Sequence, residues 1–507
     1  MGGGGVIISS AWGREEVGPF VYGNLRQNLP HNEEHIFRSR FLAVLVPDDI
    51  TLPQLVLQDA EVYADKVAFV EVVTRKEVTY SDVVRNQEFA KALSSLGLSK
   101  GHIAIVAWGI TVAGGVFLDA NPTTHASEIK KQVEAAEAKL IVTNGPNYEK
   151  VKGLRLLVII HGEELIEGAM NWNKLLKAAN RASTNITKED VHQTDLCALP
   201  FSSGTTGLSN GVKLTHRNLC VGPYMVGQVT TLGLIPFFHI YGIIGICCAT
   251  LRNKGKVVEV TFAPIVPPII LQLVNNPIVE EFDRNMLKLW VIMSVASPLA
   301  LELLTAFENK FPGVHVQKHS CITLTLVNPE TGSWLTKKNS VSYILLNLEV
   351  KFIDLETGRS VPKNTTGEIY VRSQCVMQGY YNNNEETAQI IDDKAWLHTS
   401  DIGFINEEED VFVVDRIKEL IKYKGFQVAL IEHEAILLTH PSIEDTAIVL
   451  PPDKEAGEIP AASVVVTPSA TENAKDVIDY VASNVAHYKK VRMVQFVDTI
   501  PKSHSEK

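Results

Sequence analysis

Hydrophobic and polar positions change their spacing along this chain, and each change marks an element. Apolar residues recur at helical intervals from Leu52 to Asp65, and Val67-Ala68-Phe69-Val70-Glu71-Val72-Val73 then reads as a strand. Ser81 to Leu98 is an amphipathic helix ending near Gly97, and His102 to Ala107 is a buried strand. The alternation continues with a helix from Ala126 to Ala138, a strand from Lys139 to Thr143 and another from Leu156 to Ile160. Strands alternating with helices predict parallel sheet under helical cover, whose ligands collect beyond the carboxyl ends of the strands. Leu346 to Ile353, Gly367 to Arg372 and Val411 to Val414 read instead as short strands separated by turns, as in a small barrel-like subdomain. After Asp415-Arg416-Ile417-Lys418 the pattern restarts with charged turns, then helix Leu430 to Leu438, strand Thr446 to Leu450, helix Asn473 to His487 and strand Val491 to Val497.

The expected fold class is therefore α/β. A large N-terminal domain of parallel-rich sheets with helices, plus the barrel-like subdomain, occupies residues 36–416. A small, mobile α+β domain follows over 417–507 and is expected to be truncated at its end. Residues 1–35 hold few core-forming patterns and are expected to form a flexible extension. A length of 507 residues agrees with more than one core.

Composition narrows the partners. A net charge of −11 argues against nucleic acid, which needs a basic face, but leaves room for ATP, whose site needs only a local positive field. The six cysteines show no metal-ligand spacing, adjacent Cys247-Cys248 suits apolar packing, and no metal site is identifiable. A reduced, cytoplasmic setting is the expectation. No basic stretch precedes the short apolar run Val6-Ile7-Ile8, so no secretion signal is expected. Leu232 to Leu251 is long and apolar enough for a membrane span, yet Pro236, His239, Tyr241 and its glycines interrupt it. A buried strand followed by a core helix is expected there, with no transmembrane span.

The chain is organised around Ser202-Ser203-Gly204-Thr205-Thr206-Gly207-Leu208-Ser209-Asn210-Gly211, set between the apolar run Leu196 to Phe201 and Val212-Lys213-Leu214-Thr215-His216-Arg217. Small residues and hydroxyls between two strand-like segments offer backbone N–H groups to an anion. A Walker A loop would need Lys-Ser/Thr after its last Gly, and Val212 stands there instead, which disfavours a P-loop kinase or ATPase. Composition alone leaves the loop open between a phosphate cradle and a surface turn. The ordered string Ser-Ser-Gly-Thr-Thr-Gly-Leu, with Gly-Val and Thr-His-Arg-Asn after it, resembles the phosphate loop of the adenylate-forming enzymes: acyl-CoA synthetases, luciferases and 4-coumarate:CoA ligases. Pro236-Phe237-Phe238-His239-Ile240-Tyr241-Gly242 and the stretch Asp415 to Val428 resemble the same family's motifs, in the family's order. From about Ile36 onward the chain resembles the plant 4-coumarate:CoA ligase-like branch, and within it the fatty-acyl-CoA synthetases associated with pollen-wall (sporopollenin) synthesis.

The resemblance implies an ATP-dependent acid–thiol ligase that uses ATP, Mg²⁺ and CoA. Its substrate would be a hydrophobic carboxylic acid, either a medium- or long-chain or hydroxy fatty acid or a hydroxycinnamate. By match, Ser202, Ser203, Gly204, Thr205, Thr206 and Gly207 hold the β- and γ-phosphates. His398-Thr399-Ser400-Asp401 resembles the family's His-Thr-Gly-Asp, so Asp401 would accept hydrogen bonds from the ribose hydroxyls with Arg416 assisting. His239, Tyr241 and Gly242 border the acyl carboxylate and tunnel, and Ala296 and Ser297 line the acyl pocket. Lys422 and Gln427 would contact the AMP moiety during thioester formation, and Lys424 and Gly425 would contact CoA. Pro501-Lys502-Ser503-His504-Ser505-Glu506-Lys507 resembles Pro-Lys-Ser-x-Ser-Gly-Lys, which makes Lys507 the residue that steadies the adenylation transition state. A final domain swinging about Lys418 would exchange Lys507 for the Lys422–Lys424 face between half-reactions. Peripheral association with the endoplasmic reticulum surface is compatible with this reading.

Departures from the pattern keep a second reading open. Many members carry Lys where this chain has Asn210, Ser400 replaces Gly, and Glu506 replaces Gly. The family's aromatic-Gly-x-Thr-Glu segment, which stacks adenine and helps hold Mg²⁺, has no counterpart where Val316-Gln317 runs into Lys318-His319-Ser320-Cys321. Shorter gaps lie beside Ala107-Trp108, between Cys220 and Gln228, and between Val258 and Thr261. The alternative is thus a catalytically impaired relative that binds nucleotide or acyl ligand, or the product of an incomplete gene model.

Overall fold

The computed structural model describes residues 35–501 except 40–45, 72–73, 86–89, 91, 94–102, 106–107, 123, 163, 180–190, 202–209, 223–229, 232, 234, 236, 258–261, 283–288, 290, 295–298, 300, 319–322, 325–339, 342, 418–419, 424–425, 454–456, 468–469, 471–472 and 486–489. The expected extension at 1–35 falls almost wholly outside these. The chain divides into two compact units, the first formed by 41–263 with 372–397 and the second by 264–371 with 398–507.

In the first unit one sheet runs in the order Leu214–Thr215, Leu196–Ala198, Val116–Phe117, Ile103–Ile105, Leu140–Thr143, Leu157–Ile160, Met170–Asn171. Its neighbours are parallel throughout, except that Leu214–Thr215 pairs antiparallel with Leu196–Ala198. Apolar runs such as Leu157-Val158-Ile159-Ile160 suit such a sheet, and Val116, Leu118, Ile141, Val158, Ile160 and Leu199 form one core with Ile129 and Val133 of helix Ala126–Ala135. A second set of strands joins Val67–Val70 to Glu77–Thr79 antiparallel and to Lys256–Val257 parallel. Thr230–Thr231 pairs parallel with Lys256–Val257 and with Phe262.

Two expectations in this unit need correction. The helix expected over 52–65 ends after Leu52–Val56, and a 3₁₀ turn, Ala60–Tyr63, follows. Asp59 sits between them at φ 59°, a left-handed conformation that no continuous α-helix accepts. The core helix expected within 232–251 is wound as a π-helix from Gly242 to Cys248 before Ala249–Arg252 returns to α. Among the described residues no helix is long and apolar enough to cross a membrane.

The second unit carries the sheet Phe37–Arg38, Leu348–Ile353, Gly367–Ser373, Leu397–Ile405, Val411–Arg416, in that order, where the barrel-like strands were expected. Leu397–Ile405 and Val411–Arg416 are antiparallel with a bulge between Ile402 and Gly403. A Cβ at Gly403 would lie 2.3 Å from the carbonyl oxygen of Phe412, so only glycine fits there. Val291–Ser294 and His315–Lys318 form a parallel pair. Near the C-terminus, helices Leu430–Leu438 and Ala474–Asn484 pack on strands Ile443–Val449, Ala461–Val466 and Met493–Phe496 through Leu437, Ile448, Val464, Val477 and Val481. Leu420–Tyr423 and Phe426–Ala429 form an antiparallel hairpin where charged turns were expected.

Two local strains give measurable outcomes. Asp119, just beyond the carboxyl end of Val116–Phe117, keeps some solvent exposure, but protein surrounds its carboxyl group and burial raises its pKa from 3.8 to about 7. The unfolded chain ionises this group from about pH 4, while the folded chain holds it neutral up to about pH 7, so stability falls across that window and then levels off. The full effect is at most ~4 kcal/mol. Asp119→Asn is therefore expected to stabilise the protein more at pH 8 than at pH 5 in chemical denaturation, and a pH-independent difference would contradict it. Ser400 sits at φ 59°, left-handed within a strand. Ser400→Gly removes about 1–2 kcal/mol of backbone strain and returns about 0.4–1 kcal/mol through the more flexible unfolded chain. A net gain between about 0 and about 1.6 kcal/mol is expected in the same measurement.

Candidate nucleotide and acyl site

The glycine–hydroxyl loop follows a strand of the parallel sheet. Strand Leu196–Ala198 runs parallel to Val116–Phe117, and the chain leaves it at the carboxyl end toward Phe201. Ser202, Ser203, Gly204, Thr205, Thr206 and Gly207 lie outside the described residues. The flanks of the loop are fixed. Phe201 and Gly211 form an antiparallel bridge, and Val212 N–H donates to the Pro200 carbonyl at 2.8 Å. A second segment clamps the returning strand: Lys213 N–H donates to Gly379, Gln378 N–H to Lys213, and Tyr381 N–H to Gly211, at 2.9, 3.0 and 2.7 Å.

Asn210 ends the loop within a side-chain cluster. Its amide donates to Glu386 Oε2 at 3.2 Å, and its Oδ1 accepts from Asn383 Nδ2 at 3.1 Å. The position held by Lys in many adenylate-forming enzymes thus pairs here with a carboxylate. The motif residues beyond the loop act as scaffold. Thr215 caps helix His216–Cys220 in a capping box with Asn218. Buried His216 accepts the Leu52 N–H through Nδ1 at 3.2 Å. Asn218 donates to the carbonyls of Gln374 and Val376 at 2.7 and 2.8 Å, and Arg217 pairs with Asp48 at 3.0 Å.

His239, Tyr241 and Gly242 come together at the start of the π-helix. His239 is exposed, and its Nδ1 accepts the Tyr241 N–H at 3.2 Å. Burial pushes the Tyr241 phenol well above its usual range, so it acts as a neutral hydroxyl. Gly242 is buried, and Gly245, one turn on, leaves room for the Tyr241 ring, which a Cβ there would approach to 3.0 Å. Single π-turns within helices occur often at functional sites because they re-aim side chains. Ala296 and Ser297 fall outside the described residues.

Asp401 and Arg416 are brought together in the second unit. They are register partners on adjacent antiparallel strands, and Arg416 Nε donates to Asp401 Oδ1 at 2.8 Å. The Asp401 side chain is 19% exposed and that of Arg416 44%, so this is a partly solvated pair that orients more than it stabilises. The peptide before Asp401 is held by side chains. Thr399 Oγ1 donates to the Ile369 carbonyl at 2.8 Å and accepts the Asp401 N–H at 3.1 Å, while Ser400 N–H donates to Glu368 Oε1 at 3.2 Å. Burial raises the Glu368 carboxyl pKa, and the charge of Asp401 adds to the rise, against the lowering influence of the Ser400 N–H and His398. His398 stacks on Tyr370 at 3.9 Å. Glu368 and Tyr370 were not visible as site residues in the sequence, because nothing in local spacing links them to 398–401.

Lys422 and Gln427 stand directly opposite each other in the hairpin Leu420–Tyr423/Phe426–Ala429. Lys418, Lys424, Gly425 and Lys507 lie outside the described residues. Among the described residues no group of three or more His, Cys, Asp or Glu side chains could hold a metal ion.

The family model described as AMP-binding enzyme matches residues 56–381, and that of the AMP-binding enzyme C-terminal domain matches 432–507. The chain is 60% identical over 520 aligned positions to 4-coumarate--CoA ligase-like 1 of Arabidopsis thaliana, spanning 94% of this chain and 96% of that protein. The aligned span exceeds the 507 residues here, so that relative carries segments with no counterpart in this chain. It is 51% identical to 4-coumarate--CoA ligase-like 9 of Oryza sativa subsp. japonica over 94% of each chain. Two solved structures share the fold. The anthranilate CoA ligase AuaEII in complex with anthranoyl-AMP gives a TM-score of 0.79 at 20% identity, over 91% of this chain and 96% of that one. ATP-bound MatB from Rhodopseudomonas palustris gives 0.76 at 23%, over 90% and 96%. A family match across more than half of the chain, together with relatives this similar along nearly all of it, shows that the protein belongs to the adenylate-forming, AMP-binding enzymes and stands with the plant 4-coumarate:CoA ligase-like proteins.

Proposed function

We propose that this chain activates a hydrophobic carboxylic acid as an acyl-adenylate and passes the acyl group to CoA. A carboxylate oxygen attacks the α-phosphorus of ATP, which enters with its magnesium ion, and pyrophosphate leaves. The CoA sulfur then attacks the acyl carbon, and AMP leaves with the electron pair of the broken C–O bond. Negative charge passes through both steps, so fixed donors and cations dominate catalysis.

The observation that carries this reading is the Asp401–Arg416 pair. Arg416 Nε engages Oδ1, and a carboxylate offers about four acceptor positions, so Asp401 keeps the capacity to accept from a ribose diol. In this reading the loop 202–207 holds the β- and γ-phosphates. His239, Tyr241 and Gly242 border the acid, with Ala296 and Ser297 along its chain. Lys507 serves adenylation, Lys418 binds the nucleotide at the point about which the final domain swings, and Lys422, Lys424, Gly425 and Gln427 serve the thioester step. The acid is of hydroxycinnamate or of medium- to long-chain or hydroxylated fatty type. The fatty type is the one suited to pollen-wall polymer precursors. The place of action is the cytoplasm, including the surface of the endoplasmic reticulum.

A second reading, nucleotide or acyl binding without turnover, is favoured by the missing aromatic-Gly-x-Thr-Glu segment and by the Glu386 carboxylate at Asn210. Acid-dependent exchange of pyrophosphate into ATP, followed by CoA-dependent AMP release, is expected across a panel of hydroxycinnamates and fatty acids. ATP binding with no exchange for any acid would establish the second reading instead. Asp401→Ala is expected to weaken ATP about ten- to a hundredfold, the worth of hydrogen bonds to a charged acceptor, and to leave the acid's KM unchanged. An unaltered response to ATP would remove Asp401 from the site.

A further inference from the structure

We infer that Glu368 is a positioning residue for the nucleotide site: its carboxylate tethers the left-handed Ser400 peptide and so fixes where Asp401 leaves the strand. This rests on the reading of Asp401 as the ribose acceptor. Residue 400 adopts φ 59°, which an L-residue with a side chain disfavours, so something outside the residue must hold the conformation. Glu368 Oε1 lies 3.2 Å from the Ser400 nitrogen, and Thr399 Oγ1 secures the next N–H, that of Asp401, at 3.1 Å. Both tethers are anchored on the strand Gly367–Ser373, Glu368 directly and Thr399 through the Ile369 carbonyl. Arg416 grips the Asp401 carboxylate from the opposite neighbouring strand. Asp401 is thereby fixed at its backbone from one side and at its carboxylate from the other.

Burial and a neighbouring like charge work against the Glu368 carboxylate, and His398 offsets them only in part. It is half-buried, and it feels the like charge of Asp401. A carboxylate kept in such surroundings is stabilised by the N–H it accepts. A glycine at 400 would enter the left-handed region unaided. The tether therefore carries more of the restraint with serine at 400 than it would with glycine.

The test is ATP affinity in the full-length protein, by calorimetry, with KM for ATP and for the acid measured alongside. Glu368→Ala is expected to weaken ATP about tenfold, consistent with the loss of a charge-assisted hydrogen bond, while the acid's KM stays within about twofold. Glu368→Gln retains an acceptor oxygen and should fall within about threefold of the native protein. In a Ser400→Gly background the same Glu368→Ala change should matter by about twofold or less, because glycine needs no tether. Should the alanine variant fail to fold, Glu368→Met keeps the side chain's length without the acceptor and carries the same expectations. Equal losses in the serine and glycine backgrounds would overturn the inference. So would loss of ATP affinity in Asp401→Ala but not in Glu368→Ala. An Asp401→Ala variant that binds ATP normally would instead overturn the underlying reading of the site.

Discussion

Buried peptide groups must find partners, and that single requirement fixes the chemistry-bearing residues in both units. In the first, the carbonyl of Gly211 accepts from Tyr381, while the amides of Val212 and Lys213 reach Pro200 and Gly379. Asn210 is the residue immediately before this ladder. In the second, side chains of Glu368 and Thr399 take the amides of Ser400 and Asp401. Asn210 and Asp401, the proposed ribose acceptor, are each attached to a backbone that something else immobilises. Such placement is what electrostatic catalysis needs, since a donor or acceptor that must reorganise loses most of its worth.

Elements whose periodicity matches their burial were legible in the sequence. Val67–Val70, Leu140–Thr143, Leu157–Ile160 and Leu430–Leu438 lie where apolar spacing put them. The π-helix was not legible, because an apolar stretch carries no mark of whether its turns close at four residues or five. Leu420–Tyr423 and Phe426–Ala429 read as surface because their lysines mask a short alternating hairpin. Ala461–Val466 lies between two neighbouring strands, and its small first residues Ala461-Ala462-Ser463 weaken the strand signal. Asp401 and Arg416 were found through the family strings around them. Glu368 was hidden because its contact spans 32 residues of sequence and is made to a backbone atom, which no side-chain pattern encodes.

The departures from the family strings have structural counterparts that change their meaning. Ser400 in place of Gly leaves a left-handed residue in need of restraint, and the restraint is present. Asn210 in place of Lys sits against Glu386, within hydrogen bonds that also engage Asn383. A lysine at 210 would have that carboxylate as a neighbour and share its charge with it. The loss of the cation and the presence of the acid therefore form one local arrangement, in which a neutral amide serves both neighbours.

Nucleotide affinity and turnover are separable properties of such a chain. Affinity draws on contacts made equally before and during reaction, and in the proposed reading the Asp401–Arg416 pair is of that kind. Turnover depends on groups aimed at charge that develops only in the transition state. Loss of one such group costs about a hundredfold or more in rate while leaving binding nearly intact. The segment without a counterpart here belongs, by resemblance, to both classes, since it stacks adenine and helps hold Mg²⁺, whereas the tethered turn at Ser400 belongs to the first. The physical consequence is asymmetric: the restraints that hold the proposed ribose acceptor keep their value whether the chain turns over quickly, slowly or not at all.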